Sequence, residues 1–246
     1  MKQRLHQALA ARGAHVYTRR SLPTGVDWLL DIRRSRILGP RPLCFDVGAN
    51  VGQTVFELRS SWPGCEVHAF EPFAQPLAAL RRATLGLAGV TPVPLALGEV
   101  AEERRVWPRE KSVLNSLAQH PQHHTNEALL PFETVHVQTL DSYCAQRHIQ
   151  RIDVLKTDTE GHDLQVLRGA RQMFQARAIG FVYCEVSFLP GNLQNTPFQP
   201  VFDWLSGQDC AFLGLYETYP LHHFEEPNVF CNALFVSRAW RSHRKS

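Results

Sequence analysis

The chain has no CxxC pair, no internal repeat, no low-complexity segment and no run approaching the roughly 20 apolar residues that a membrane span requires. Each absence removes a class of protein. The six cysteines (Cys44, Cys65, Cys144, Cys184, Cys210, Cys231) are scattered, several of them inside apolar strand-like runs where a free thiol behaves as a small hydrophobe. That pattern suits a reducing, cytoplasmic setting better than a disulfide framework. Met1 to Ala11 lack the apolar core of a signal peptide, and no transmembrane segment is expected. A formal charge of +3 is too small to argue for a nucleic-acid partner. The local excess at Arg33, Arg34, Arg36 and Arg41, and again at Arg238, Arg241, Arg244 and Lys245, reads as solvated ends. Nothing in the pattern tells the oligomeric state.

What is present is an alternating pattern. At 246 residues and 44% hydrophobic content, the chain can bury one large core. Strand-like runs fall at Leu43–Val47, Glu66–Phe70, Thr91–Leu97, Ile152–Thr157, Phe181–Val186, Ala211–Tyr216 and Asn232–Val236. Helical spacing separates them: Leu77, Leu80, Thr84 and Leu87; Leu164, Leu167, Ala170, Met173 and Phe174; Phe198, Val201, Phe202 and Leu205. Strands alternating with helices predict an α/β sandwich, a mostly parallel sheet covered on both faces.

Residues 1–42 read as an N-terminal helical extension or lid, with weak helices over Met1 to Arg20 and Val26 to Ile32. Residues 43–246 form the main domain, interrupted by an insertion at about 102–138. That insertion carries short strands at Arg105–Pro108 and Thr134–Gln138 around a polar middle with His120, His123 and His124, expected to be either a source of substrate contacts or a plain connector. Neither these histidines nor His222-His223 are assigned a metal.

The most informative stretch is Cys44-Phe45-Asp46-Val47-Gly48-Ala49-Asn50-Val51-Gly52, a buried strand running into a glycine turn and a helix. A dinucleotide fold requires G-x-G-x-x-G at this place; here Asn50 stands where the second glycine would let a diphosphate approach. S-adenosylmethionine has a sulfonium and an amino-acid tail instead. Asp46 is expected to face its cationic end, directly or through water, and the N–H groups of the turn its carboxylate. Glu71, closing the second strand, suits a grip on both ribose hydroxyls, because a carboxylate accepts two hydrogen bonds. Ala96 and Leu97, ahead of Gly98, would flank the adenine.

These segments, with Ala69-Phe70-Glu71-Pro72, Leu95-Ala96-Leu97-Gly98, Thr139-Leu140-Asp141-Ser142, Asp153-Val154-Leu155-Lys156-Thr157-Asp158-Thr159-Glu160-Gly161, Val166-Leu167-Arg168-Gly169-Ala170 and Asn232-Ala233-Leu234-Phe235, resemble the successive motifs of the FkbM-type methyltransferase family. The resemblance runs from about residue 43 to 236. It implies a class I methyltransferase fold, Rossmann-like, with seven strands of which one is antiparallel, and methyl transfer from S-adenosylmethionine, usually to a hydroxyl oxygen. It also makes Asp46, Gly48, Asn50, Gly52 and Glu71 cofactor contacts. His162-Asp163 departs from the family, which often has a small residue and then Glu.

Lys156, Asp158 and Glu160 alternate along the end of one strand. A lysine in an apolar strand is costly unless paired, and Asp158 is its nearest candidate partner. The neutral thioether that leaves in methyl transfer needs no acid, so the protein must align the reactants and handle the nucleophile's proton. Asp158 is the expected base, tuned by Lys156, with His162 and Glu185 in reserve. Asp158, Glu185 and His162 together leave a divalent metal as the minor alternative. The expected acceptor is a hydroxyl on a small molecule or a glycan. Competing readings are an NAD-linked oxidoreductase on a similar sheet and a non-catalytic binding module on a methyltransferase scaffold.

Overall fold

The computed structural model describes residues 13, 16–18, 21–107, 117, 132–189, 191–192, 194–218 and 230–242. The expected first helix, the polar middle of the insertion with its histidines, and His222-His223 lie outside the described residues.

Those residues form α1 (Trp28–Ser35), β1 (Leu43–Val47), α2 (Gln53–Ser61), β2 (Glu66–Phe70), α3 (Ala74–Ala83), β3 (Val90–Val93), β4 (Ala96–Leu97), β5 (Glu102–Val106), β6 (Glu133–Gln138), α4 (Leu140–Gln146), β7 (Ile152–Thr157), α5 (Asp163–Arg168), α6 (Arg171–Gln175), β8 (Ile179–Val186), α7 (Phe198–Gly207), β9 (Cys210–Tyr216), β10 (Cys231–Ser237) and α8 (Arg238–Ser242). The main sheet has seven strands in the order β3-β2-β1-β7-β8-β10-β9. All neighbours from β3 to β8 pair in parallel, and β10 runs antiparallel to both β8 and β9. This is the Rossmann-like methyltransferase fold that the alternation and the resemblance predict.

Burial explains the order. Every residue of β7 and β8 is buried, as is all of β1 beyond Leu43, so these strands take the centre and are covered on both faces. The period of two then sends alternate side chains into two cores. Phe45, Leu155 and Val182 join Leu140, Leu167 and Phe174 on one face; Cys44, Val154 and Phe181 join Val55, Leu58 and Leu80 on the other. Trp28 of α1 belongs to the second core, stacked on Tyr183 with ring centroids 4.1 Å apart, and the Tyr216 hydroxyl donates to Asp31 at 2.9 Å.

Two expected elements are broken. The run Thr91–Leu97 is not one strand, because the chain turns at Pro94, where Leu95 N donates to Val93 O at 2.9 Å. Ala96 and Leu97 then pair with β6 in a separate sheet ordered β4-β6-β5. Proline has no N–H for a ladder, and Pro92 is tolerated because β3 is an edge strand. The helix expected across Leu164–Phe174 divides into α5 and α6. The Asp141 side chain accepts from Gln172 N and Met173 N at 2.8 and 3.0 Å, capping the second helix as a separate start.

Candidate active site

The site lies at the carboxyl ends of β1, β2, β7 and β8, where an open parallel sheet presents its loops. Between Val47 and α2, Gly48, Asn50 and Gly52 take φ values of 82°, 46° and 99°. At Gly48 the left-handed backbone is pressed against β7's extension, so a Cβ there would run into the Asp158 carbonyl. Asn50 takes the same region, which asparagine visits more readily than most residues.

Four of the turn's amides are already engaged. Gly48 N and Ala49 N donate to Phe70 O at 3.0 and 2.9 Å, and Gly52 N to Ala49 O at 2.8 Å. Asn50 N donates to Glu71 Oε2 at 2.9 Å. The amides of Gly48, Ala49 and Asn50, expected to meet a ligand carboxylate, instead tie the turn to the end of β2, and that of Gly52 closes the turn on itself. Gln53 and Thr54, opening α2, line the adjoining cavity together with Gly48 and Asn50.

Glu71 lines that cavity while 5% exposed, its other oxygen accepting from Phe73 N at 2.9 Å. Burial pushes its carboxyl up to about 7, against the pull of the two backbone donors. Two of its four lone-pair positions remain for a ligand. Ala96, Leu97, Phe73 and Leu117 add an apolar wall. The whole cavity encloses about 650 Å³.

Across the cavity stand Lys156, Asp158, Glu160 and Glu185. Lys156 Nζ lies 3.1 Å from Asp46 Oδ1 and 3.3 Å from Asp158 Oδ2. Burial alone would lower the lysine; Asp158 and Asp46 reverse that and hold the ammonium charged well above its ordinary value. Asp46 is fully buried beneath Lys156 and does not line the cavity, which leaves the indirect of the two expected routes to the cofactor. Burial raises Asp46, and Lys156 draws it back.

Glu185, 7% exposed, accepts from Asn195 Nδ2 at 2.6 Å. Burial, then Asp158, Glu160 and Asp163, push it up to about 9. Oxygens of Asp158, Glu160 and Glu185 all lie within 4.8 Å of one another. His162 is not with them. It is 6% exposed, its Nε2 packs toward Gly98, and burial with Arg104 nearby lowers it to about 4. The set Asp158, Glu185 and His162 is thus not assembled, and Glu160 occupies the third place.

A sequence model of the methyltransferase FkbM domain matches residues 46–213, more than half of the chain. The chain belongs to the methyltransferase FkbM domain family. That family is S-adenosylmethionine-dependent. The FkbM match begins at Asp46 and covers the turn, Glu71 and the whole Lys156–Glu185 wall. Over 50 residues the chain is 46% identical to 31-O-demethyl-FK506 methyltransferase FkbM of Streptomyces tacrolimicus, which is 20% of this chain and 19% of that relative.

Among solved structures, an FkbM methyltransferase from Methylobacillus flagellatus superposes with a TM-score of 0.53 at 17% identity, covering 82% of this chain and 46% of that one. An rRNA methylase from Streptococcus thermophilus gives 0.47 at 12% identity over 91% and 99% of the two chains. The FkbM motif at Thr139–Ser142 has a structural purpose: Thr139 caps α4 by accepting from Ser142 N at 3.1 Å, and Asp141 caps α6.

Among the lining residues that escaped the sequence reading are Gln53, Thr54, Gln194 and Asn195. Asn195 sits in a polar loop without periodicity; only its place after β8 could have suggested it.

Proposed function

We propose that this chain is an S-adenosylmethionine-dependent O-methyltransferase acting on a hydroxyl of a small metabolite or of a sugar in a glycan. One observation carries the reading. A single cavity of about 650 Å³ joins the acid closing β2 to the Lys156–Asp158 pair closing β7. Its lining fits the donor: an acid with spare acceptor capacity, an apolar slot at Ala96–Leu97 and Phe73, and the start of α2 for an anionic end. Glu71, Asn50, Gln53, Thr54, Ala96 and Leu97 would hold the cofactor, which supplies an electrophilic methyl group on sulfur.

The chain's own task is the acceptor's proton. The Asp158 carboxylate, oriented by Lys156 at 3.3 Å, accepts the hydroxyl proton at Oδ as the oxygen becomes a nucleophile. Glu185, raised to about 9, is protonated at neutral pH and unsuited as a base. His162 does not reach the cavity. Lys156, already neutralised from below by Asp46, positions Asp158 without surrendering a proton. Glu160 completes the wall beside the acceptor. Asn50 in the turn and the FkbM family both weigh against an NAD-linked oxidoreductase.

The test is transfer of a labelled methyl group into an extract of the source. Asp158→Asn should slow it about 100-fold or more, with affinity for S-adenosylhomocysteine unchanged. Donor binding without any transfer, across extracts, would favour a binding module.

A further inference from the structure

The wall facing Glu71 has a charge character that the chemistry of methyl transfer does not require. Asp158, Glu160 and Glu185 each bring an oxygen within 4.8 Å of the other two. Lys156 is the one cation lining the cavity among the described residues, and it stands between Asp46 and Asp158 at 3.1 and 3.3 Å. Its charge is already balanced by two carboxylates.

The wall is also fixed in place. Asn195 Nδ2 donates to Glu185 at 2.6 Å, while Asn195 Oδ1 accepts from Asn192 Nδ2 at 2.7 Å. The next residue, Thr196, is clipped to the fully buried Asp163: its hydroxyl donates to Asp163 Oδ2 at 2.9 Å and accepts from Asp163 N at 3.2 Å. Ser187 N closes the loop onto Thr196 O at 2.8 Å. With both ends of its carboxamide engaged, Asn195 is held in orientation, with an Nδ2 hydrogen committed to Glu185.

We infer that this wall selects the acceptor by charge: it takes a hydroxylated molecule without anionic groups and turns away phosphate-, sulfate- and carboxylate-bearing ones. The inference rests on the methyl-transfer reading of the same cavity. Like charges placed side by side in a partly desolvated site discriminate by about 100-fold or more. Asp158 and Glu160 carry the wall's charge; burial, then Asp158, Glu160 and Asp163, push Glu185 up, so it stands beside them uncharged at neutral pH, with Asn232 of β10 as its register partner. Gln194, also lining the cavity, offers a neutral donor and acceptor to hydroxyl groups.

The experiment uses the full chain, labelled S-adenosylmethionine and a source extract, with the labelled product passed over an anion exchanger at neutral pH. The expected label flows through unretained. Label held by the exchanger and released by salt would overturn the inference while leaving methyl transfer standing. Failure to label anything, together with absent S-adenosylhomocysteine binding, would remove the proposed function itself. Glu160→Lys, checked for unchanged S-adenosylhomocysteine affinity, should shift label into the retained fraction at least about tenfold. An unchanged distribution in that variant would contradict selection by charge.

Discussion

Lys156 reaches across the β1–β7 pairing to Asp46, its register partner, with Nζ and Oδ1 3.1 Å apart. The acid that opens the first motif therefore acts on the cavity from beneath, by holding the lysine that orients Asp158. Two residues far apart in the chain become one device because parallel pairing sets them side by side on the same face.

Removing the lysine should leave Asp46 as an uncompensated buried charge. Lys156→Met is expected to lose about 3–5 kcal/mol of stability in urea denaturation. Asp46→Asn combined with Lys156→Met should recover much of that loss, since the pair is removed together. A single variant as stable as the wild type would contradict the pairing.

Gly48→Ala tests the turn. With φ at 82° and the Asp158 carbonyl in the way, the added methyl must push apart β1's end and β7's extension. A loss of more than about 1 kcal/mol is expected, together with reduced transfer because Asp158 moves. An alanine variant equal to wild type in both would show that the contact is not there.

Stability should also follow pH. Glu185 is raised to about 9, above the unfolded value near 4.3, so between these pH values the folded state binds the extra proton. Its contribution is fully present below the unfolded value and is lost as pH rises toward 9. The slope for one proton is at most about 1.4 kcal/mol per pH unit. Glu185→Gln cannot titrate, so the difference between variant and wild type should change monotonically over that window. A pH-independent difference would place Glu185 in its ionised form.

The architecture was legible because burial speaks through pattern. The apolar runs at Leu43–Val47 and Ile152–Thr157 mark central strands, and both hold. Pro94 was the unread sign in Thr91–Leu97, where a missing N–H ended the strand. In the site, residue types and their places after strands picked out Glu71, Asp158 and Glu185, all of which line one cavity. Direction was not legible. Spacing could not tell that Asp46 points beneath the lysine, that His162 packs toward Gly98, or that the turn's amides close on Phe70 and Glu71. Those facts depend on which neighbour a strand acquires, and Asn195 depends on a loop whose hydrogen bonds are all non-periodic.

The most direct measurement is calorimetric titration of the chain with S-adenosylhomocysteine. One molecule per chain should bind, with affinity rising as pH passes about 7, because the ionised Glu71 accepts the hydroxyl donors. Glu71→Ala should weaken binding about 10- to 100-fold. Heat identical in wild type and variant would remove Glu71 from the cofactor site, and no binding by the wild type at any pH would contradict the account as a whole.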